Sequence, residues 1–590
     1  MLTCLPLVAL WLVALAAGAV LDLFKLPELE FEAHARTLGL LRVVACSVCL
    51  SLVFAYLLSL VSRWAPVRYA LAFLAFLVIG FDLFLRANYG SRMTPEIATF
   101  IAETNRVEAS EYLATYLWPF LKSPKTILLV SAMVLWVVLD RWWMRRVCTR
   151  SFSRRTEAVA VLMLCGALIG AACAPSTWSI ATSLVRGDNR QYSNAFGLDD
   201  VSNMLFCWQR LAQTDRLTSQ SVAATLQACQ EGVTKPDNAP TVVLVIGESY
   251  IKSHAAVYGY PLPTTPYLCR ERDNGNLVVF TDAVSPFNNT NWSIRYLLSM
   301  NSIADGEPWQ DCPLFPAIFK VAGYHVEMWD NQREMFEGSD FTRGLNGFLY
   351  NPQVIRLCYD RVNDKNYKYD AELVNDYVNT HNQDGSSPRL VIFHLRGQHL
   401  KAANRYPHEP QYEHFGPDDY GYRNEPYLTD KMKRDIAHYD NATLYNDEVL
   451  SMIFDAFSQT DAVVVCLSDH GDEIYDYRPC IGRQAESVRI RQMLDYQYGI
   501  PFFVWCSSDF KSNHPEIFSR IAAAANRPLM TDNLGQILLG IAGVEAGCYR
   551  PSRDVVSDNY RPSKRWVGNA YDYDRDKPGL VSGKKSRLIY

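Results

Sequence analysis

Apolar residues crowd the first third of the chain and then change their rhythm. Segments 5–24, 40–61, 67–85, 126–143 and 158–174 are nearly unbroken apolar runs. About 20 such residues, as helix, cross a hydrocarbon core of roughly 30 Å. The pattern therefore predicts five membrane spans within residues 1–176. The first run contains LAAGA, which resembles a small-residue cleavage site. It has no basic segment before it and four spans follow it, so it reads as a retained anchor rather than a signal peptide.

The polar stretches between and after these runs have patterns of their own. In loop 87–123, TPEIATFIAETNRVEASEYLATYLWPF reads as an amphipathic helix at the outer interface, with Tyr112, Tyr116 and Trp118 at headgroup level. Thr104 and Glu108 stand one turn apart and share a face. On the residues alone they read as well as a helix cap and a solvated acid. Residues 177–237 read as a linker with bridging helices.

From residue 238 to 571 the period shortens. TVVLVIGES, GNLVVFTDA, GYHVEMWDN, PRLVIFHLRGQH, DAVVVCLSDHGDE and YGIPFFVWCS are short β-branched or aromatic runs ending in polar clusters. Helical patterns such as TLYNDEVLSMIFDAFSQ lie between them. Strands alternating with helices predict a mostly parallel sheet covered by helices on both faces. Residues 572–590 form a polar tail.

Charge fixes an orientation for the spans. The loop DRWWMRRVCTRSFSRRTE before the fifth span carries Arg141, Arg145, Arg146, Arg150, Arg154 and Arg155, and arginine-rich short loops stay cytoplasmic. The fifth helix then exits, which predicts a cytoplasmic N-terminus and an exterior domain after it. Net charge is −5, so there is no bulk case for nucleic-acid binding. Nine of the fifteen cysteines follow the spans. The number is odd, so at least one exterior thiol is free. Cys466, inside AVVVCLS, reads as a small buried hydrophobe.

Three strand ends carry metal-type ligands: Glu248 after VVLVIG, His394 and His399 in HLRGQH, and adjacent Asp469 and His470 in SDHG. Each alone reads as a cap or a structural histidine. Converging on the carboxyl edge of one parallel sheet, where ligands collect, they predict a zinc site built from carboxylate oxygen and imidazole nitrogen. Such a site lacks a nucleophile unless water or a side chain supplies one. Thr290, in SPFNNTNWS, sits before the helical pattern NWSIRYLLSM. It reads both as a helix cap and as a hydroxyl that a metal could activate.

Taken together, VIGES, YGYPLPTTPYL, TNWS, FHLRGQH, YDN and LSDHG resemble the membrane-anchored phosphoethanolamine transferases of the alkaline phosphatase/sulfatase superfamily. The resemblance covers nearly the whole chain. It implies a five-helix transmembrane bundle followed by a periplasmic α/β domain of the alkaline phosphatase type, in a bacterial inner membrane. It implies zinc held by Glu248, Thr290, Asp469 and His470, with Thr290 as the nucleophile that becomes phosphoethanolamine-modified. His394 and His399 would handle donor phosphate and protons, and Thr104 and Glu108 would lie near the lipid headgroup. Tyr439, Asp440 and Asn441 match an element read as structural support. The implied donor is phosphatidylethanolamine, and the implied acceptor is a surface glycolipid, the lipopolysaccharide core or lipid A.

The departures shape the expectation. Many members carry a further histidine about a dozen residues after Asp-His-Gly; YDYRPCIGRQAES has none, so one zinc is expected and a second lacks its ligand. No cysteine flanks Thr290, where Phe287 and Tyr296 stand instead, and DNQREMFEG offers Arg333 in place of a lysine. These features place the chain nearer the core-modifying branch. The rival reading is a phosphoglycerol transferase of the lipoteichoic acid synthase type. A sulfatase is disfavoured by the missing C/S-x-P-x-R sequence. A non-catalytic sensor is disfavoured by the intact Glu, Thr, Asp, His set.

Overall fold

The computed structural model describes residues 64–89, 113–147, 214–335, 342–344, 348–365, 367–381, 388–399, 401–483, 491–568 and 571–574, with isolated positions elsewhere. Two helices among these are long and apolar enough to cross a membrane. They lie within α1 (Ala65–Tyr89) and α2 (Pro124–Val147), where the third and fourth spans were expected. Phe73, Leu74 and Leu77 of α1 and Ile127, Leu128, Val134 and Val138 of α2 are open to the surroundings. Apolar faces of that extent suit lipid rather than water. Arg68 and Asp140, both buried, face one another at 3.7 Å across the two helices. The second span, most of the first, nearly all of the fifth, Thr104, Glu108 and the last three arginines of the basic loop lie outside the described residues.

The sheet has seven strands: β1 (Thr241–Gly247), β2 (Leu277–Phe280), β3 (His325–Asp330), β4 (Arg361–Val362), β5 (Arg389–His394), β6 (Ala462–Ser468) and β7 (Phe502–Cys506). Their order across the sheet is β2-β7-β6-β1-β5-β3-β4. Alternate residues of β1 serve opposite cores. Val242, Leu244 and Ile246 pack with Ile294, Phe315 and Leu538 on one face, while Val243 and Val245 pack with Leu373, Val449 and Ile453 on the other. That two-sided burial is why the strand reads as a continuous apolar run. Two helices do most to frame the site, α4 (Thr290–Leu298) on the first face and α5 (Asp430–Phe457) on the second.

One strand departs from the expected direction. β7 runs antiparallel to both β6 and β2, so the sheet is mixed. A parallel return needs a crossover of a dozen or more residues to the far edge. Here Gly471 N donates to the Gln497 carbonyl at 3.0 Å, so the chain re-enters the sheet at the edge it had just left. Two further segments are tied into the domain. Helix α3 (Thr214–Ala228), in the stretch read as linker, buries Leu217 and Val222 against the first core. Tyr571–Asp572 pairs antiparallel with Trp566–Val567 at the start of the polar tail.

Candidate active site at the carboxyl edge of the sheet

Register brings the chemistry together. β1 and β6 are parallel, with Gly247 opposite Ser468, so the residues that follow, Glu248 and Asp469, leave the sheet side by side. β5 pairs with β1 with His394 opposite Ile246. Beyond β1 the backbone turns sharply: Ser249 adopts φ +56, a conformation uncommon for a residue with a side chain. Gly397 (φ +48) permits the next approach. A Cβ there would lie 2.8 Å from both Glu248 N and Glu248 O, and Gln398 N donates to that carbonyl at 3.0 Å. The glycine of Asp-His-Gly is forced in the same way, since a Cβ on Gly471 would meet the Tyr496 carbonyl at 2.0 Å.

Thr290 opens α4 as its first helical residue. The N-cap is Asn289, whose Oδ1 accepts from Trp292 N at 3.1 Å. The capping role that the sequence allowed for Thr290 therefore belongs to its neighbour, and the threonine hydroxyl is free to point into the site. It donates to Glu248 Oε2 at 2.9 Å and lies 3.2 Å from His470 Nε2. Phe287 and Tyr296 brace this turn, with ring centroids 4.9 Å apart.

The remaining contacts fix the ligand orientations. Ser249 Oγ donates to Glu248 Oε1 at 2.7 Å, and Gln332 Nε2 donates to Glu248 Oε2 at 3.2 Å and to the Leu395 carbonyl at 2.8 Å. His470 Nδ1 donates to the Gly471 carbonyl at 2.8 Å, which leaves the Nε2 lone pair facing inward. Asp469 Oδ1 accepts from His470 N at 2.8 Å and Ser249 N at 3.2 Å. Asp469 Oδ2 is buried without a hydrogen-bond partner, 3.1 Å from His470 Nε2, while Glu248 Oε1 lies 3.3 Å from the same nitrogen.

Glu248, Asp469 and His470 are all buried and offer ligand atoms within 4.8 Å of one another. Two carboxylates and an imidazole nitrogen converging on one point, one carboxylate oxygen without a partner, are what a cation stabilises. The titration behaviour agrees. Burial works against the Glu248 carboxylate, yet His470 and Arg483 beside it hold it well below the usual range. Burial and the adjacent Glu248 charge push Asp469 well above it. The two buried carboxylates thus oppose one another's ionisation, a conflict that a bound cation would relieve.

The other expected residues stand further back. His394 is buried with Nδ1 3.1 Å from Asp330 Oδ1, and its Nε2 has no partner. Asp330 also accepts from Gln332 N at 2.8 Å, which links His394 to Glu248 through the glutamine. His399 is half-buried on the loop over Glu248. Burial, opposed by Glu248, pulls its pKa down to about 3, so its imidazole is neutral. Tyr439 props the β1 exit, donating to Ser249 O and accepting from Ile251 N, both at 2.7 Å.

Two residues of the site escaped the sequence reading. Gln332 lies inside DNQREM, where an amide among charged residues carries no sequence signal. Arg483 lies inside the segment noted only for lacking a histidine. Its Nη1 is 2.6 Å from the His470 ring nitrogens and 3.0 Å from Ser249 Oγ. No disulfide joins the eight described cysteines of the α/β domain, and Cys466 is buried in the second core.

Comparison with known proteins places this geometry. The family described as Sulfatase matches residues 240–544. A phosphoethanolamine transferase, EptC, of Escherichia coli strain K12 is 27% identical over 518 residues, covering 82% of each chain. The crystal structure of the C-terminal periplasmic domain of Escherichia coli EptC is similar with a TM-score of 0.50 and 27% identity, covering 60% of this chain and 95% of that one. The integral membrane lipooligosaccharide phosphoethanolamine transferase A of Neisseria meningitidis shares the fold. It has a TM-score of 0.58 at 17% identity and covers 94% of this chain and 99% of that one.

Proposed function

This chain belongs to the sulfatase family, and on that footing we propose that it transfers phosphoethanolamine from phosphatidylethanolamine to a surface glycolipid, the lipopolysaccharide core or lipid A. The observation that carries the reading is the Thr290 hydroxyl, 2.9 Å from Glu248 and 3.2 Å from His470 Nε2 at the first turn of α4. Backbone N–H groups at a helix N-terminus favour a phosphate there. The Escherichia coli relative named as a phosphoethanolamine transferase, matched over 82% of both chains, supports the same activity here. The phosphoglycerol transferase reading finds no support among the relatives named above.

The transfer runs in two halves. Thr290 Oγ attacks phosphorus, the bond from phosphorus to the diacylglycerol oxygen breaks, and the hydroxyl proton ends on that oxygen. An acceptor hydroxyl or phosphate oxygen then attacks the phosphothreonine, the bond to Oγ breaks, and Oγ recovers a proton from the acceptor or from water. A covalent intermediate of this kind gives ping-pong kinetics. One zinc ion, held by Glu248, Asp469, His470 and the threonine oxygen, would supply a Lewis acid that lowers the hydroxyl pKa and offsets phosphoryl charge.

The chain's own groups do the positioning. Glu248 accepts a hydrogen bond from the Thr290 hydroxyl and turns the oxygen lone pairs outward, Gln332 holds Glu248, and the Gly471 carbonyl fixes the His470 tautomer. His399, neutral, donates a hydrogen bond to donor phosphate rather than a charge, with His394 behind it.

The same proposal covers the membrane half: five spans in 1–176, a cytoplasmic N-terminus, a linker over 177–237 and a periplasmic domain over 238–571. Thr104 and Glu108 of loop 87–123 would meet the donor headgroup. The two described spans support this, as does the related periplasmic domain from Escherichia coli. Mass spectrometry of the purified protein incubated with phosphatidylethanolamine tests the core of it. One added phosphoethanolamine on the peptide containing Thr290 is expected, and an unmodified peptide overturns the covalent mechanism.

A further inference from the structure

The ligand cluster has a neighbour of fixed positive charge. Arg483 Nη1 lies against the His470 ring at 2.6 Å, 3.0 Å from Ser249 Oγ and 3.7 Å from Glu248 Oε1. The side chain is 17% exposed. His470 Nδ1 is committed to the Gly471 carbonyl, and the Thr290 hydroxyl to Glu248. Arg483 Nη1 and Thr290 Oγ share His470 Nε2 as a neighbour, at 2.6 and 3.2 Å, which puts the arginine next to the reacting oxygen.

Its mount is rigid. The segment that follows Asp-His-Gly closes on itself: Tyr475 N donates to the Cys480 carbonyl at 2.8 Å and Gly482 N to the Glu473 carbonyl at 2.9 Å. Ile474 pairs with Ile481 across this turn. The second arginine of the segment, Arg478, is taken by Glu473 at 2.6 Å, which leaves Arg483 as the member aimed at the site. The segment is also bonded to the nucleophile loop. Gln497 Nε2 donates to Glu473 Oε1, and Asn288 Nδ2, two residues before Thr290, donates to Gln497 Oε1 at 2.7 Å.

We infer that Arg483 is a catalytic residue whose guanidinium grips the non-bridging phosphoryl oxygens, in the donor and again in the phosphothreonine. Arginine presents planar paired donors that match a phosphate edge, and its charge persists at any working pH. Phosphoryl transfer spreads negative charge over those oxygens, so a fixed cation beside the ligand cluster stabilises the transition state. The inference rests on the proposed function and adds a phosphate-binding residue to it.

The test uses the full chain in detergent, as the wild type, Arg483→Ala and Arg483→Lys. Three quantities are measured: affinity for inorganic phosphate, the rate of phosphoethanolamine loading on Thr290, and zinc content. The alanine variant should bind phosphate roughly tenfold or more weakly and load about 10²–10³-fold more slowly, with unchanged zinc content. Lysine should recover part of both. Added guanidine hydrochloride at low millimolar concentration should speed loading in the alanine variant and not in the wild type. Unchanged phosphate affinity and loading in the alanine variant would sink the inference. So would losses accompanied by lost zinc and no response to guanidinium, which mark a merely structural role. If the wild type itself never loads Thr290 while phosphate affinity still depends on Arg483, the covalent mechanism falls and the phosphate site stands.

Discussion

Thr290 donates its hydroxyl proton to Glu248 at 2.9 Å across 42 positions of sequence. The contact joins the first turn of α4 to the end of β1, and neither residue has that meaning alone. Glu248 is held twice more, by Ser249 and by Gln332. Its carboxylate therefore keeps one orientation while the threonine oxygen stays open on its other side.

Removing the hydroxyl should separate binding from chemistry. Thr290→Ala should abolish loading by phosphatidylethanolamine and leave the melting temperature near that of the wild type, because Asn289 and not Thr290 caps the helix. Thr290→Ser should retain measurable loading. Mass spectrometry of the Thr290 peptide and a thermal melt check both; a large melting loss in the alanine variant would make the residue structural.

The two carboxylates predict a sign for stability. Asp469 has its pKa raised by burial and by Glu248, so ionising it above its ordinary range costs stability when no cation is present. Asp469→Asn should therefore melt no lower than the wild type at neutral pH in chelator. Added zinc should raise the melting temperature of the wild type clearly and of the variant little. The comparison is four melting curves, and a variant that still gains as much from zinc would remove Asp469 from the ligand set.

Much of this was legible from pattern. All six strands that the apolar runs predicted are in the sheet, because each is buried on both faces and needs a continuous β-branched or aromatic face. Glu248, Asp469 and His470 were legible because strand ends in a parallel sheet share one edge. The direction of β7 was not, since PFFVWC reads alike in either sense and only the chain's local return decides it. The cap was missed because Asn289 and Thr290 are adjacent good cap formers and spacing cannot choose between them. Gln332 and Arg483 were invisible for another reason: they reach the site through loops whose course no periodicity encodes.

Gly397 tests how tightly the site backbone is packed. With φ +48 and both Glu248 N and O 2.8 Å from its missing Cβ, Gly397→Ala must shift either the His399 loop or Glu248. A cost of about 2–4 kcal/mol is expected from strain and overpacking together. Zinc content should fall with it, because Glu248 is the atom set displaced. Urea unfolding and metal analysis read the two effects, and a neutral substitution would mean that the loop yields without disturbing Glu248.

His254 provides a pH test outside the candidate metal cluster. It is buried between Asp440 at 2.7 Å and Asp476 at 2.8 Å. Burial opposes its charge, but the two carboxylates overcome this and push its pKa up to about 10. A histidine whose folded pKa is raised contributes stability that is fully present below its unfolded pKa of about 6.5. That contribution fades as pH rises and is gone above about 10. His254→Gln should therefore lower the melting temperature most at pH near 6. The deficit should shrink steadily between pH 6.5 and 10, because the wild type loses its imidazolium while the glutamine does not titrate. Asp440 also accepts from Tyr260 and Tyr420, so the variant keeps a partly satisfied carboxylate and should still fold. Melting curves of both proteins at pH 6, 8 and 10 make the comparison, and a deficit independent of pH would mean that His254 packs there uncharged.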